Sequence, residues 1–162
     1  MSRLNGLSPA GPEAKRTPQI PRVGRRRVLT LAAVPENLYR VLEFVGVSLA
    51  KYHFPAHETE QVTLAVEEIF VNIARYAYAP ADGMVTINVV VCSKPLSIRI
   101  AFRDRGQPFN PLDKADPDIT LPFEDRPVGG LGVLIVKQYM DRMTYVYRNG
   151  YNRLSITKNA DH

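Results

Sequence analysis

Apolar positions in three segments of the chain recur every three to four residues, the spacing of one face of an α-helix. The first segment follows Pro35, the second runs from about 58 to 78 and stops before Pro80, and the third covers 133–140. Each pattern predicts an amphipathic helix that packs against a core. The apolar positions of the first helix are Leu38, Val41, Leu42, Val45 and Leu49.

Other segments alternate between apolar and polar residues, which predicts strands with one buried face. The last two predicted strands flank Asn149-Gly150, a dipeptide typical of two-residue hairpin turns because both positions need a positive φ. The predicted strands are 28–31, 85–92, 96–103, 143–148 and 151–158.

The order of these elements predicts an α/β fold. Strands joined by short turns must be antiparallel, and three amphipathic helices need one sheet face to cover. We therefore expect a two-layer sandwich, with a mostly antiparallel mixed sheet covered on one face by about three helices. The proline-rich segment 108–130 is predicted to be a long loop with a possible helical turn, and loops of this length are often functional lids.

The composition excludes several classes of protein. A chain of 162 residues that is 45% apolar and 23% charged matches one ordinary globular domain. Cys92 is the single cysteine, so no internal disulfide can form, and no apolar run is long enough for a membrane helix. We expect a soluble, cytoplasmic protein with no membrane partner.

The formal charge of +5 is confined to one end of the chain. Residues 1–27 hold seven basic side chains against Glu13, so the other 135 residues sum to −1. We predict a disordered basic arm over 1–26 and a folded domain over 27–162. Binding of nucleic acid through the arm is an alternative that would require strong salt dependence, but we expect no direct nucleic-acid partner.

Glu68 and Asn72 lie four residues apart in the second helix, so their side chains stack on one side of it, at the border of the buried stripe. A carboxylate and a carboxamide in this arrangement can polarise a hydroxyl and hold Mg²⁺. The alternative is an ordinary solvated helix face.

Asp104 ends a predicted strand and shares the inward face with Phe102, so its carboxylate needs a donor in the core. Gly106 would let the backbone approach a ligand closely, although Asp104-Arg105-Gly106 could also be a simple turn. Further along, a predicted helix follows Gly129, Gly130 and Gly132. The free N–H groups at the start of such a helix attract phosphate. Alternatively, the three glycines form a flexible hinge.

These three features, in this order and spacing, resemble the boxes of the GHKL superfamily of ATPases and kinases, and most closely its bacterial anti-sigma-factor serine/threonine kinases. Residues 64–78 resemble the N-box, 102–111 the first glycine box and 129–137 the second. The resemblance covers about 28–158 and implies a histidine-kinase-like ATPase fold. Asn152 stands where this branch often has a threonine that helps to hold the adenine.

The resemblance implies a role for each residue. Glu68 would be the general base, Asn72 the Mg²⁺ ligand within the ATP site, and Asp104 the acceptor for the adenine amino group. Gly106 would lie against the base, and Gly130 and Gly132 would present N–H groups to the phosphates.

The resemblance also implies a function. It indicates an ATP- and Mg²⁺-dependent protein serine/threonine kinase that acts as an anti-sigma factor, phosphorylating a small antagonist protein and sequestering a sigma factor, and that forms a homodimer. The alternative is an ATP-binding regulatory module that switches partner binding without significant kinase activity.

Overall fold

The computed structural model describes residues 23–126 and 130–160. It contains five strands and three α-helices in the described part of the chain. The strands are β1 (Arg27–Ala32), β2 (Met84–Ser93), β3 (Leu96–Asp104), β4 (Arg142–Arg148) and β5 (Tyr151–Asn159), and the helices are α1 (Leu38–Lys51), α2 (Ala56–Asn72) and α3 (Leu131–Tyr139).

The five strands form one sheet in the order β1-β2-β3-β5-β4. All four pairings are antiparallel, so the predicted sandwich is confirmed, while its sheet has no parallel pair among these strands. The register places Asp104 opposite Asn152, which brings the end of β3 beside the start of β5. The hairpin turn is also confirmed, because Asn149 and Gly150 have φ of 54° and 79°.

The core lies between one face of the sheet and the helices. Alternate residues of β2 and β3 face it because strand side chains alternate, and the apolar stripes of α1 and α2 cover them. The largest side chains that are under 2% exposed are Phe70, Phe102, Leu49, Ile87, Ile98, Ile100 and Ile156.

The second helix differs from its prediction at its end. The α-helical part stops at Asn72, and a π-helical turn, Ile73–Ala77, replaces the predicted continuation to Tyr78. The turn docks on the segment after β3, since the Gln107 N–H donates to the Ala77 carbonyl oxygen over 2.8 Å. This tertiary contact is not visible in the period of apolar residues.

The long loop after β3 contains one 3₁₀ turn, Phe123–Asp125, within its described part. Residues 1–22 of the predicted arm lie outside the described residues, as do 127–129 and 161–162. Among the helices that are described, none is both long and apolar enough to cross a membrane.

Candidate functional site

Glu68 and Gly132 are in direct contact, although 64 residues separate them in sequence. Glu68 lies in the last two turns of α2, and Gly132 is the second residue of α3, which packs beside α2. A Cβ atom added to Gly132 would collide with the Glu68 carboxylate and lie 3.2 Å from its Cδ. Because residue 132 has no side chain, the Glu68 carboxylate can lie over the N-terminus of α3.

Asp104 is a buried carboxylate at the inward end of β3, as its position in the alternation predicts. It is 6% exposed. Its Oδ1 accepts hydrogen bonds from the Gly106 N–H over 2.8 Å and from Asn152 Nδ2 over 3.0 Å. Its Oδ2 accepts none from the described residues, so one oxygen of the carboxylate can receive a further donor.

Asn152 fixes the segment that follows Asp104. Besides Asp104, its Nδ2 donates to the carbonyl oxygens of Gly106 and Gln107, each over 3.1 Å. Its Oδ1 accepts from the Phe109 N–H over 3.4 Å and from the Tyr145 hydroxyl. One buried carboxamide thus holds the turn between β3 and the long loop.

Gly106 packs against the π-helical turn. A Cβ atom there would lie 2.6 Å from Cβ of Ala77 and 2.7 Å from its carbonyl carbon. Such distances are far below ordinary contact, so the close approach needs a glycine. Gly106 therefore has a packing role in this conformation, and it joins the segment after Asp104 to the segment after Asn72.

Gly130 occupies the N-cap position of α3 with φ of 87°, a conformation that favours glycine. The long loop rests beside it, since Pro117 lies 3.8 Å from the position of an added Cβ. Asp116 forms an ion pair of 2.7 Å with Lys137 of α3. Gly129 lies outside the described residues.

Burial sets the electrostatics around Asp104. Desolvation raises the pKa of Asp104 above its usual value, while the hydrogen bonds from Asn152 and Gly106 oppose the shift. Desolvation also raises the pKa of Tyr78 and of Tyr145. The Tyr78 hydroxyl accepts from the Arg105 N–H over 2.7 Å, so it fixes the chain just after Asp104.

The structure brings the predicted residues together through two links. Glu68 meets Gly132 between α2 and α3, and Ala77 meets Gly106 after a turn that begins directly at Asn72. Asn72 is half-buried and makes no side-chain hydrogen bond with the described residues. The three separate sequence motifs therefore meet around the C-terminal end of α2.

The donor set fits Mg²⁺ held together with a phosphate. Among the described residues, no group of three or more His, Cys, Asp or Glu side chains could hold a metal. Mg²⁺ is commonly bound by one or two protein oxygens together with phosphates and water. The Asn72 amide oxygen, with no partner in the described chain, fits that mode.

Sequence reasoning missed Tyr78 and Tyr145, and it treated Asn152 only as a departure from a family pattern. The hairpin turn at Asn149-Gly150 and strand alternation together would have placed Asn152 on the inward face, beside Asp104. No signal in the sequence pairs Tyr78 with Arg105.

The described residues form a two-layer α/β sandwich, with a carboxylate over a glycine-started helix and a buried aspartate at a strand end. The model of the histidine kinase-like ATPase domain matches residues 31–158. This chain belongs to that family.

Curated relatives carry the names of kinases. The chain is similar to the serine/threonine-protein kinase BtrW of Bordetella bronchiseptica, with 25% identity over 61% of this chain and 69% of the relative. It is also similar to the serine-protein kinase RsbW of Bacillus cereus, with 30% identity over 60% of this chain. The match spans 62% of that relative's length. These names agree with the enzyme class that the sequence motifs indicated.

A solved structure has the same fold. The crystal structure of the RsbU and RsbW domains of Rv1364c from Mycobacterium tuberculosis superposes with a TM-score of 0.61. The alignment has 14% identity and covers 86% of this chain and 34% of that one. At this identity the likeness supports the fold, and the predicted histidine-kinase-like ATPase fold is confirmed.

Proposed function

We propose that this chain is an ATP- and Mg²⁺-dependent serine/threonine protein kinase that acts as an anti-sigma regulatory factor. It phosphorylates a small antagonist protein and sequesters a sigma factor. The observation that carries the proposal is the contact of Glu68 with Gly132 at the start of α3, in a domain of the ATPase family. The kinase names of the relatives support the reaction class.

Glu68 is the general base in this proposal. Its carboxylate makes no hydrogen bond or ion pair with other described residues, so it is available to a substrate hydroxyl. It takes the proton of a serine or threonine while that oxygen bonds to the γ-phosphorus of ATP. The bond from this phosphorus to the bridging oxygen breaks, and ADP leaves with the electron pair. Catalysis then rests mainly on positioning and on charge neutralisation.

The other residues bind the nucleotide. Asp104 receives the adenine amino group at Oδ2, the oxygen without a partner in the described chain. Gly106 keeps the backbone close to the base, and Gly130 and Gly132 present N–H groups at the positive end of α3 to the phosphates. Asn72 holds Mg²⁺, which neutralises phosphate charge when it is bound.

The proposed partners are a sigma factor and its antagonist protein, and the proposed assembly is a homodimer in the cytoplasm. This part of the proposal rests on the resemblance of the three boxes and on the names of the relatives. Light scattering of the purified chain tests the dimer independently of the enzymatic activity.

A phosphotransfer assay tests the kinase. The wild type, Glu68→Gln and the matched control Glu67→Gln, a neighbour on the same helix, are incubated with labelled ATP and candidate antagonist proteins. We expect phosphoserine or phosphothreonine with the wild type and the control. Loss of the base should lower the rate by at least about a hundredfold.

Two results would contradict the kinase. One is tight ATP binding without transfer to any antagonist from the same genome. The other is a wild-type protein that keeps exchanging the sigma factor for the antagonist in response to ATP while the antagonist stays unphosphorylated. Both results would instead support an ATP-binding module that switches its partners without phosphorylating them.

A further inference from the structure

The face of the sheet opposite the helices carries a set of exposed arginines. The five strands contain one acidic residue, Asp104, and it points inward. In the described part of the chain no helix packs on the outward face. We call this surface the outer arginine face. Its six arginines are all exposed, and they are Arg99, Arg103, Arg105, Arg142, Arg148 and Arg153.

The register orders these side chains around a groove. Arg99 and Arg142 flank Thr157, and two positions further along, Ala101 and Thr144 flank Ser155. The next positions are Arg103, Arg153 and Val146. The small residues Ala101, Ser155 and Thr144 thus lie between two pairs of arginines. The groove has a volume of about 280 Å³ and is lined by Arg99, Arg142, Thr144, Val146, Arg153, Ser155 and Thr157.

None of these six arginines forms an ion pair with an acidic side chain of the described residues. Arg103 lies directly opposite Arg153, and like charges at opposed positions of a sheet destabilise it. Arg103 and Arg105 stack on the Tyr151 ring, at 3.5 and 4.4 Å from its centroid. Arg153 makes no hydrogen bond, ion pair or ring contact with the described residues. An anionic partner would remove the repulsion.

We propose that the outer arginine face docks an extended acidic segment, rich in Glu or Asp, of a partner protein. All six cations are arginines, whose planar guanidinium groups bind carboxylates through two parallel hydrogen bonds. The threonine and serine hydroxyls between them can bond a peptide backbone. A second copy of this face is excluded as the occupant, because two arginine faces repel each other.

Two observations favour a peptide over a nucleic acid. The groove extends to β4, an edge strand that pairs with β5 alone among the described strands, and its free backbone edge can pair only with another peptide chain. Single-stranded nucleic acids bind mainly through bases stacked on open aromatic rings. The ring at this face, Tyr151, already carries two guanidinium groups.

The proposal is independent of the nucleotide site, which lies on the helical side of the sheet. Fluorescence anisotropy with the full chain tests it, using a labelled Glu-rich peptide and a labelled single-stranded oligonucleotide as probes. The test variant combines Arg99→Gln, Arg142→Gln and Arg153→Gln. The matched control removes the same charge at exposed positions elsewhere, through Arg40→Gln, Lys51→Gln and Lys94→Gln.

We expect the test variant to bind the peptide at least about tenfold more weakly than the control does, at physiological salt. Equal losses in both variants would show binding by net charge and overturn the proposal. Tighter binding of the oligonucleotide than of the peptide, or no binding of the peptide by the wild type, would also overturn it.

Hydrogen exchange on the wild-type protein tests the proposal without any substitution. Saturating peptide should slow exchange in β4, at the free edge of the sheet. Slowing confined to other segments would contradict the proposed groove.

Discussion

The Asn152 carboxamide donates a hydrogen bond of 3.0 Å to Oδ1 of Asp104 across two neighbouring strands, and both side chains are 6% exposed. The same carboxamide holds the carbonyl oxygens of Gly106 and Gln107. The acidic residue of the proposed adenine site therefore depends on a side chain that lies 48 positions further along the chain.

Replacing Asn152 by alanine should destabilise the domain. The Asn152→Ala variant leaves the buried Asp104 carboxylate with the Gly106 N–H as its one remaining donor in the described chain and removes a donor from two carbonyl groups. The free energy of unfolding should therefore fall by about 2 kcal/mol. Urea unfolding measures the change. Asn159→Ala, at an exposed position of the same strand, is the matched control and should stay within about 0.5 kcal/mol of the wild type. Equal effects of the two substitutions would contradict the role of Asn152.

Much of the fold followed from patterns that the chain carries locally. The 3.6-residue period identified α1, and the Asn149-Gly150 turn set the β4–β5 hairpin. The end of α2 was mispredicted, because the π-helical turn depends on Ala77 meeting the Gly106-Gln107 segment, a contact between distant parts of the sequence. A local period contains no information about such a contact.

The sequence predicted which residues form the candidate site, but it did not predict which residues hold them in place. The position of Asp104 in the alternation placed it inward, which burial confirms. The partners that hold it, Asn152 and the backbone of Gly106, become visible only from the register between β3 and β5. The roles assigned to Glu68 and Asn72 came from the family resemblance and remain predictions.

Alanine at Gly106 should weaken the fold. The added Cβ would collide with the Ala77 backbone, which cannot move aside easily, so Gly106→Ala should lower the free energy of unfolding by about 1–3 kcal/mol. Gly46→Ala in α1 is the control, because an added Cβ there meets no atom within 4 Å. It should stabilise the helix by about 0.5–1 kcal/mol. A stable Gly106→Ala protein would refute the packing role.

Alanine at Gly132 should impair catalysis more than stability. Its Cβ would meet the end of the Glu68 side chain, which can rotate away, so the free energy of unfolding should change by less than about 1 kcal/mol. The displaced carboxylate should lower phosphotransfer at least about tenfold. Thermal unfolding and the phosphotransfer assay together check this. Unchanged transfer in a folded Gly132→Ala protein would argue against Glu68 as the base.

The raised pKa of Asp104 predicts a pH-dependent stability. Desolvation makes ionisation costlier in the folded state than in the unfolded chain. The contribution of Asp104 to the free energy of unfolding is therefore complete below its unfolded pKa and declines as pH rises through the raised folded value. Asp104→Asn lacks this decline, so its stability relative to the wild type should increase from acid to neutral pH.

Urea unfolding at a series of pH values measures that difference. Asp82→Asn, in an exposed turn, controls for the loss of one surface carboxylate. A difference between Asp104→Asn and the wild type that stays constant or shrinks with rising pH would show that the hydrogen bonds from Asn152 and Gly106 outweigh desolvation.

Calorimetric titration of ATP, with and without Mg²⁺, into the wild type and Asp104→Asn tests the proposed nucleotide site most directly. The substituted side chain keeps an oxygen for the Gly106 and Asn152 donors but turns an amide donor toward the adenine amino group. We predict saturable binding by the wild type that Mg²⁺ strengthens and that the substitution weakens at least about tenfold. No binding by the wild type, or equal affinities of the two proteins, would contradict it.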